Sequence, residues 1–74
     1  MVTVYGKPMC VQCDATEKKL KRMGVDYEKI DLTQDDAAMS RMKELGYMQA
    51  PVVFAPNGEH WSGFNPDKLE ALAA

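Results

Sequence analysis

Apolar and polar positions alternate between two rhythms along the chain. Val2-Thr3-Val4-Tyr5 is a short apolar run closed by Gly6-Lys7-Pro8, which predicts a strand and a turn. From Val11 to Met23 the rhythm lengthens. Cys13, Thr16, Leu20 and Met23 step by three and four residues, the stripe of a helix buried on one side. Glu17 and Lys21 are spaced to pair on its exposed side, and Gly24 is its stop. Tyr27–Leu32 alternates imperfectly, as a second strand. Thr33-Gln34-Asp35-Asp36 resembles a capping box opening a second helix. That helix turns Ala38, Met39, Met42 and Leu45 inward and ends at Gly46. Val52-Val53-Phe54-Ala55 reads as a buried strand, returned by Pro56-Asn57-Gly58 as a hairpin into Glu59-His60-Trp61-Ser62. Asn65-Pro66-Asp67 supplies a cap, a first-position proline and a first-turn acid. Leu69, Leu72 and Ala73 form the inward face of a last short helix.

The order β-α-β-α-β-β-α predicts an α/β fold in one domain over residues 1–74. It implies a four-stranded mixed sheet with helices packed on it. No repeat, linker or low-complexity segment interrupts it. A chain of 74 residues buries about 60% of its unfolded surface, so the core is modest.

Composition narrows the function classes. Hydrophobic residues make up 46% and charged residues 27%, which suits a globular domain. The net charge of −2 makes no case for nucleic-acid binding. No apolar run is long enough to span a bilayer. Lys7 and Pro8 break the apolar start, so no signal peptide is expected and a cytoplasmic location is. Charge is uneven: residues 7–22 carry Lys7, Lys18, Lys19, Lys21 and Arg22 against Asp14 and Glu17. A solvated helix face explains this; a cationic margin beside the thiols is the functional alternative.

The chemistry is concentrated at Cys10-Val11-Gln12-Cys13, the only two cysteines, at the junction of first strand and first helix. With no secretory signal, such a pair points to a reducing compartment and to thiol–disulfide exchange. Cys10 stands at the helix mouth, where unpaired N–H groups and the positive dipole end favour a thiolate and lower its pKa. Cys13 shares the stripe of Leu20 and Met23 and should be more buried. Cys10 therefore attacks and Cys13 resolves. A structural zinc site wants four ligands. The chain offers two thiols and His60 on another element, so an intrachain zinc site is not expected; one shared between two chains stays open. His60 points away from its neighbour Trp61 and receives no catalytic role.

Tyr5, Lys7-Pro8, the cysteine pair followed by Ala15-Thr16, Ala50-Pro51-Val52-Val53 and Trp61-Ser62-Gly63-Phe64 with Pro66-Asp67 together resemble an NrdH-redoxin. The resemblance runs the whole chain in order. It implies a glutaredoxin-like protein with a thioredoxin fold. Pro51 would be the cis-proline facing the pair, leaving the Ala50 backbone free to meet a substrate strand. Trp61, Ser62, Gly63 and Phe64 would occupy the place where glutathione-using relatives hold the tripeptide, so apolar bulk there favours protein partners. Gly63 would supply a special backbone conformation. Lys7 could stabilise the Cys10 thiolate or meet an acidic partner. Met9 and Met48 would form a soft, adaptable rim, and Val11 and Gln12 between the cysteines would also meet the partner. Two positions depart from relatives: Asn65 replaces a common Arg, and Gly6 a small polar residue. Neither is expected to touch the exchange chemistry.

The function implied is electron delivery to the large subunit of class Ib ribonucleotide reductase by a monomer recharged through thioredoxin reductase. No cofactor is required, because the two sulfurs hold the electrons. A glutathione-dependent glutaredoxin and an iron–sulfur cluster carrier are the alternatives.

Overall fold

Alternation along the first strand, β1 (Val2–Gly6), divides the core into two layers, as the computed structural model of the protein shows. The structure describes residues 1–73. Val2 and Val4 point to one face of the sheet and Tyr5 to the other. The remaining elements follow in the expected order: α1 (Val11–Met23), β2 (Tyr27–Asp31), α2 (Asp36–Glu44), β3 (Val52–Phe54), β4 (His60–Ser62) and α3 (Pro66–Ala71). The strands lie in the order β2-β1-β3-β4. β1 and β2 are parallel; β1–β3 and β3–β4 are antiparallel. This is a thioredoxin-type α/β fold with a four-stranded mixed sheet.

Val2, Val4, Leu20, Val53, Ala55, Trp61 and Leu69 pack between the sheet and the α1/α3 layer. Tyr5, Leu32, Met42 and Val52 pack on the opposite face, towards α2. Burying each large apolar side chain contributes about 1.5–3 kcal/mol. Thr16 is fully buried in the α1 stripe, and its hydroxyl donates to the Gln12 carbonyl at 2.9 Å. A polar residue is therefore tolerated in the core without an orphaned group.

Several local expectations needed correction. Glu17 does not pair with Lys21. It lies 3.3 Å from Lys29 of β2 and accepts from the Tyr27 hydroxyl at 3.1 Å, because the neighbouring strand offers partners that a helix-only reading omits. The cap of α2 is Asp35, which accepts from the Ala38 amide at 3.0 Å. Thr33 instead donates its hydroxyl and its amide to Asp31, holding that carboxyl below its ordinary pKa, with Lys29 adding to the effect. Leu45 is exposed, since α2 ends one residue before it, and Ala73 is exposed beyond the end of α3. Asn65 caps α3 as expected, accepting from the Lys68 amide at 3.2 Å.

Candidate active site

Cys10 is the N-cap of α1. Its backbone is extended (φ −117°, ψ 109°), and its carbonyl takes the first helical bond from Asp14 at 3.1 Å. Its sulfur accepts from the Cys13 amide at 3.2 Å, the position that a Ser or Asp oxygen occupies in ordinary caps. Cys10 and Cys13 are joined as a disulfide with their Cα atoms 5.2 Å apart. Cys10 retains 9% exposure and Cys13 only 1%, so the bond presents Cys10 outward. Cys13 is shielded partly by Gly6, where an added Cβ would stand 3.3 Å from the Cys13 sulfur. Gly6 therefore does touch the reacting pair, contrary to expectation, because the end of β1 passes directly behind it.

Two distant segments close on the pair. The Ala50–Pro51 peptide is cis, and the Ala50 carbonyl oxygen lies 3.9 Å from the Cys10 sulfur. The Pro51 carbonyl accepts from the Gly63 amide at 2.8 Å. The Gln12 side-chain oxygen accepts from the Phe64 amide at 3.0 Å. Residues 63–64 are thus hydrogen-bonded to the Pro51 carbonyl on one side and to the Gln12 side chain on the other, and Ala50 lies beside Cys10. Gly63 sits at φ +83°, and a Cβ there would come 3.3 Å from the Gln12 oxygen, so the site demands glycine twice over.

The two aromatic residues of the 61–64 segment have opposite fates. Trp61 is 6% exposed and belongs to the core, with the Lys68 ammonium 5.5 Å from its ring centre. It shapes the segment from beneath and offers no broad face to a partner. Phe64 is 39% exposed. Position relative to β4 explains the difference: Trp61, inside the strand, faces the α1/α3 layer, and Phe64 lies past the strand's end. Ser62 is also exposed.

Met9, Val11 and Met48 are exposed as well, and Met9 adopts φ 56°, uncommon for a residue other than glycine. A cleft of about 390 Å³ over Cys10 is lined by Lys7, Val11, Gln12, Met48, Gln49 and Ala50. It shares Lys7, Met48, Gln49 and Ala50 with a smaller apolar cavity of about 220 Å³ that reaches Met39, Lys43 and Tyr47. Lys7 is the cation that lines the cleft over Cys10, and Lys43 lies in the adjoining cavity. Lys18, Lys21 and Arg22 sit on the exposed side of α1, two to three turns from Cys10, as a solvated face. The sequence pattern does not single out Gln49, Lys43 or Tyr47, since only tertiary folding brings Gln49 to the cleft and Lys43 and Tyr47 to the cavity beside it. Among the described residues no three His, Cys, Asp or Glu gather as a metal site, and no helix is long and apolar enough to cross a membrane.

Comparison with known proteins gives concordant results. The glutaredoxin family model matches residues 2–61. The glutaredoxin-like protein NrdH of Escherichia coli K12 is 37% identical over 71 residues, covering 96% of this chain and 86% of that protein. The NrdH protein of Lactococcus lactis IL1403 is 33% identical over 73 residues, covering 99% and 100%. The solved structure of NrdH-redoxin from Escherichia coli, described as glutaredoxin-like with a thioredoxin-like activity profile, superposes with a TM-score of 0.92 at 37% identity. It covers 96% of this chain and 92% of that one.

Proposed function

Because this chain belongs to the glutaredoxin family and, within it, to the NrdH-redoxins, which are thiol–disulfide oxidoreductases, we propose that its Cys10–Cys13 pair carries electrons to protein disulfides. The client would be the large subunit of class Ib ribonucleotide reductase. The electrons would come from NADPH through thioredoxin reductase, in the cytoplasm.

The observation that carries this reading is the apolar rim. Among the described residues, four of the six exposed large hydrophobics, Met9, Val11, Met48 and Phe64, border the pair or its cleft. An exposed apolar patch rimmed by polar groups is characteristic of a protein-docking surface. Such a surface fits an extended protein segment better than a small, charged tripeptide.

In the reduced protein the Cys13 amide directed at Cys10 favours the thiolate there. That thiolate attacks a client sulfur and forms a mixed disulfide, and one client thiolate leaves. The Cys13 thiolate then attacks the Cys10 sulfur, and the second client thiolate leaves. Two electrons have passed to the client, and the Cys10–Cys13 disulfide has formed. Reduction begins at the outward sulfur of Cys10. The backbone of Ala50 lies beside that sulfur, where it can pair with the arriving segment.

The test is NADPH consumption with two electron sources. Turnover with thioredoxin reductase and a protein disulfide is expected. Turnover only with glutathione and glutathione reductase would reject the proposal in favour of a glutathione-dependent glutaredoxin.

A further inference from the structure

Residues 48–50 form one wall of the cleft over Cys10, yet little local structure holds them. They follow the end of α2 and precede β3, and none of their amides makes a turn or loop bond among the described residues. The segment is held at its two ends. At one end the Pro51 carbonyl accepts from Gly63, just beyond β4. At the other, the Tyr47 amide donates to the Met42 carbonyl at 2.9 Å, and the Tyr47 hydroxyl is hydrogen-bonded to Nδ1 of His60 on β4.

His60 is well prepared to be that anchor. Its ring stacks on Phe54, with centroids 4.8 Å apart and planes at 16°. Phe54 meets Tyr5 edge-on at 5.5 Å, and the Arg41 guanidinium lies 5.5 Å from the Phe54 ring centre. His60 and Phe54 are register partners across β3 and β4. The imidazole is thus held in orientation by the sheet itself. With its proton on Nε2, its Nδ1 accepts from the Tyr47 hydroxyl.

We infer that the Tyr47–His60 hydrogen bond is a positioning device that fixes the 48–50 wall of the cleft and so tightens docking of client proteins. The inference rests on the reading that protein disulfides dock over Cys10. It assigns a role to the one histidine of the chain, which lies on the sheet face opposite the Trp61 side chain. Neither residue touches the reacting sulfurs; their effect belongs to binding and not to the exchange step.

The test uses the full chain, reduced with dithiothreitol and desalted, in single turnover against labelled insulin over a range of concentrations. The small disulfide 5,5′-dithiobis(2-nitrobenzoate) serves as the second substrate. His60→Phe keeps a ring against Phe54 and removes the acceptor. It should raise the half-saturation concentration for insulin about two- to tenfold, the range of one hydrogen bond. The limiting rate and the reaction with the small disulfide should be unchanged. Tyr47→Phe should raise the same constant to the same degree, and the double variant no further, because the two substitutions remove one bond.

An unchanged half-saturation concentration overturns the inference, as do additive effects in the double variant or an equal slowing with both disulfides. Wild-type protein that reduces the small disulfide but never insulin overturns the protein-disulfide reading and this inference with it. Variants that match a wild type active on insulin overturn this inference alone.

Discussion

The side-chain oxygen of Gln12 accepts a hydrogen bond from the Phe64 amide at 3.0 Å, joining positions 52 residues apart. The bond ties the exposed aromatic residue of the rim to the first turn of α1, between the two cysteines. Gln12→Ala should release Phe64. Its amide should exchange with solvent faster, by the roughly 0.5–1 kcal/mol of a partly exposed hydrogen bond. Exchange followed by NMR checks this; an unchanged Phe64 amide would show that the segment is held by other contacts.

Gly63 is constrained from two directions, by φ +83° and by the Gln12 oxygen, which would lie 3.3 Å from any Cβ placed there. Gly63→Ala should cost about 1–2 kcal/mol from the left-handed backbone alone, with crowding added. Combining it with Gln12→Ala should recover the crowding part and leave the backbone part. Urea midpoints of the two single variants and the double variant separate these contributions.

Cys10 and Cys13 should separate cleanly by variant. Cys13→Ser should accumulate a mixed disulfide at Cys10 when offered a protein disulfide, visible by intact mass. Cys10→Ser should accumulate none. Iodoacetamide should alkylate the lone Cys10 of the first variant faster than the lone Cys13 of the second, since Cys13 is nearly inaccessible. The reverse order would exchange the two roles.

Asn65 stabilises α3 through the Lys68 amide. Asn65→Ala should lower stability by about 1 kcal/mol, whereas Asn65→Asp should stay within a few tenths of wild type. Equal losses from both would mean that the cap contributes little and that Leu69 holds the helix by packing alone. Thermal unfolding monitored by circular dichroism distinguishes the two.

Tyr27 supplies a pH dependence. Burial, the hydrogen bond to Glu17 and the charge of Glu17 together raise its pKa above the ordinary 10.0. The folded protein therefore keeps a proton that the unfolded chain has already released. This contribution is complete below about pH 10 and is lost as pH rises through the raised value. Tyr27→Phe should flatten the decline in stability measured between about pH 9 and 12. An identical decline in both proteins would remove Tyr27 as its source.

Much of the fold was legible because its signals are local. The α1 stripe, the stop at Gly24, the Pro56-Asn57-Gly58 turn and the Asn65 cap each rest on a few consecutive residues, and each appears as expected. Two of the errors arose where local readings competed. Thr33 and Asp35 both suit a helix start, and the choice fell to Asp35 because Thr33 was engaged by Asp31. Glu17 could serve Lys21 in its own helix or Lys29 on the next strand, and the strand prevailed.

By itself the sequence determined the element order, the four-stranded sheet and the cysteine pair at a helix mouth, since periodicity, turn chemistry and capping act over short distances. Only the tertiary structure decided which aromatic residue of the 61–64 segment is buried, that Gly6 backs Cys13, and that Gln12 meets the Phe64 amide and Tyr47 meets His60. Those outcomes depend on which backbone groups, far apart in the chain, are left facing one another once the sheet has assembled. No pattern confined to one stretch of residues encodes that.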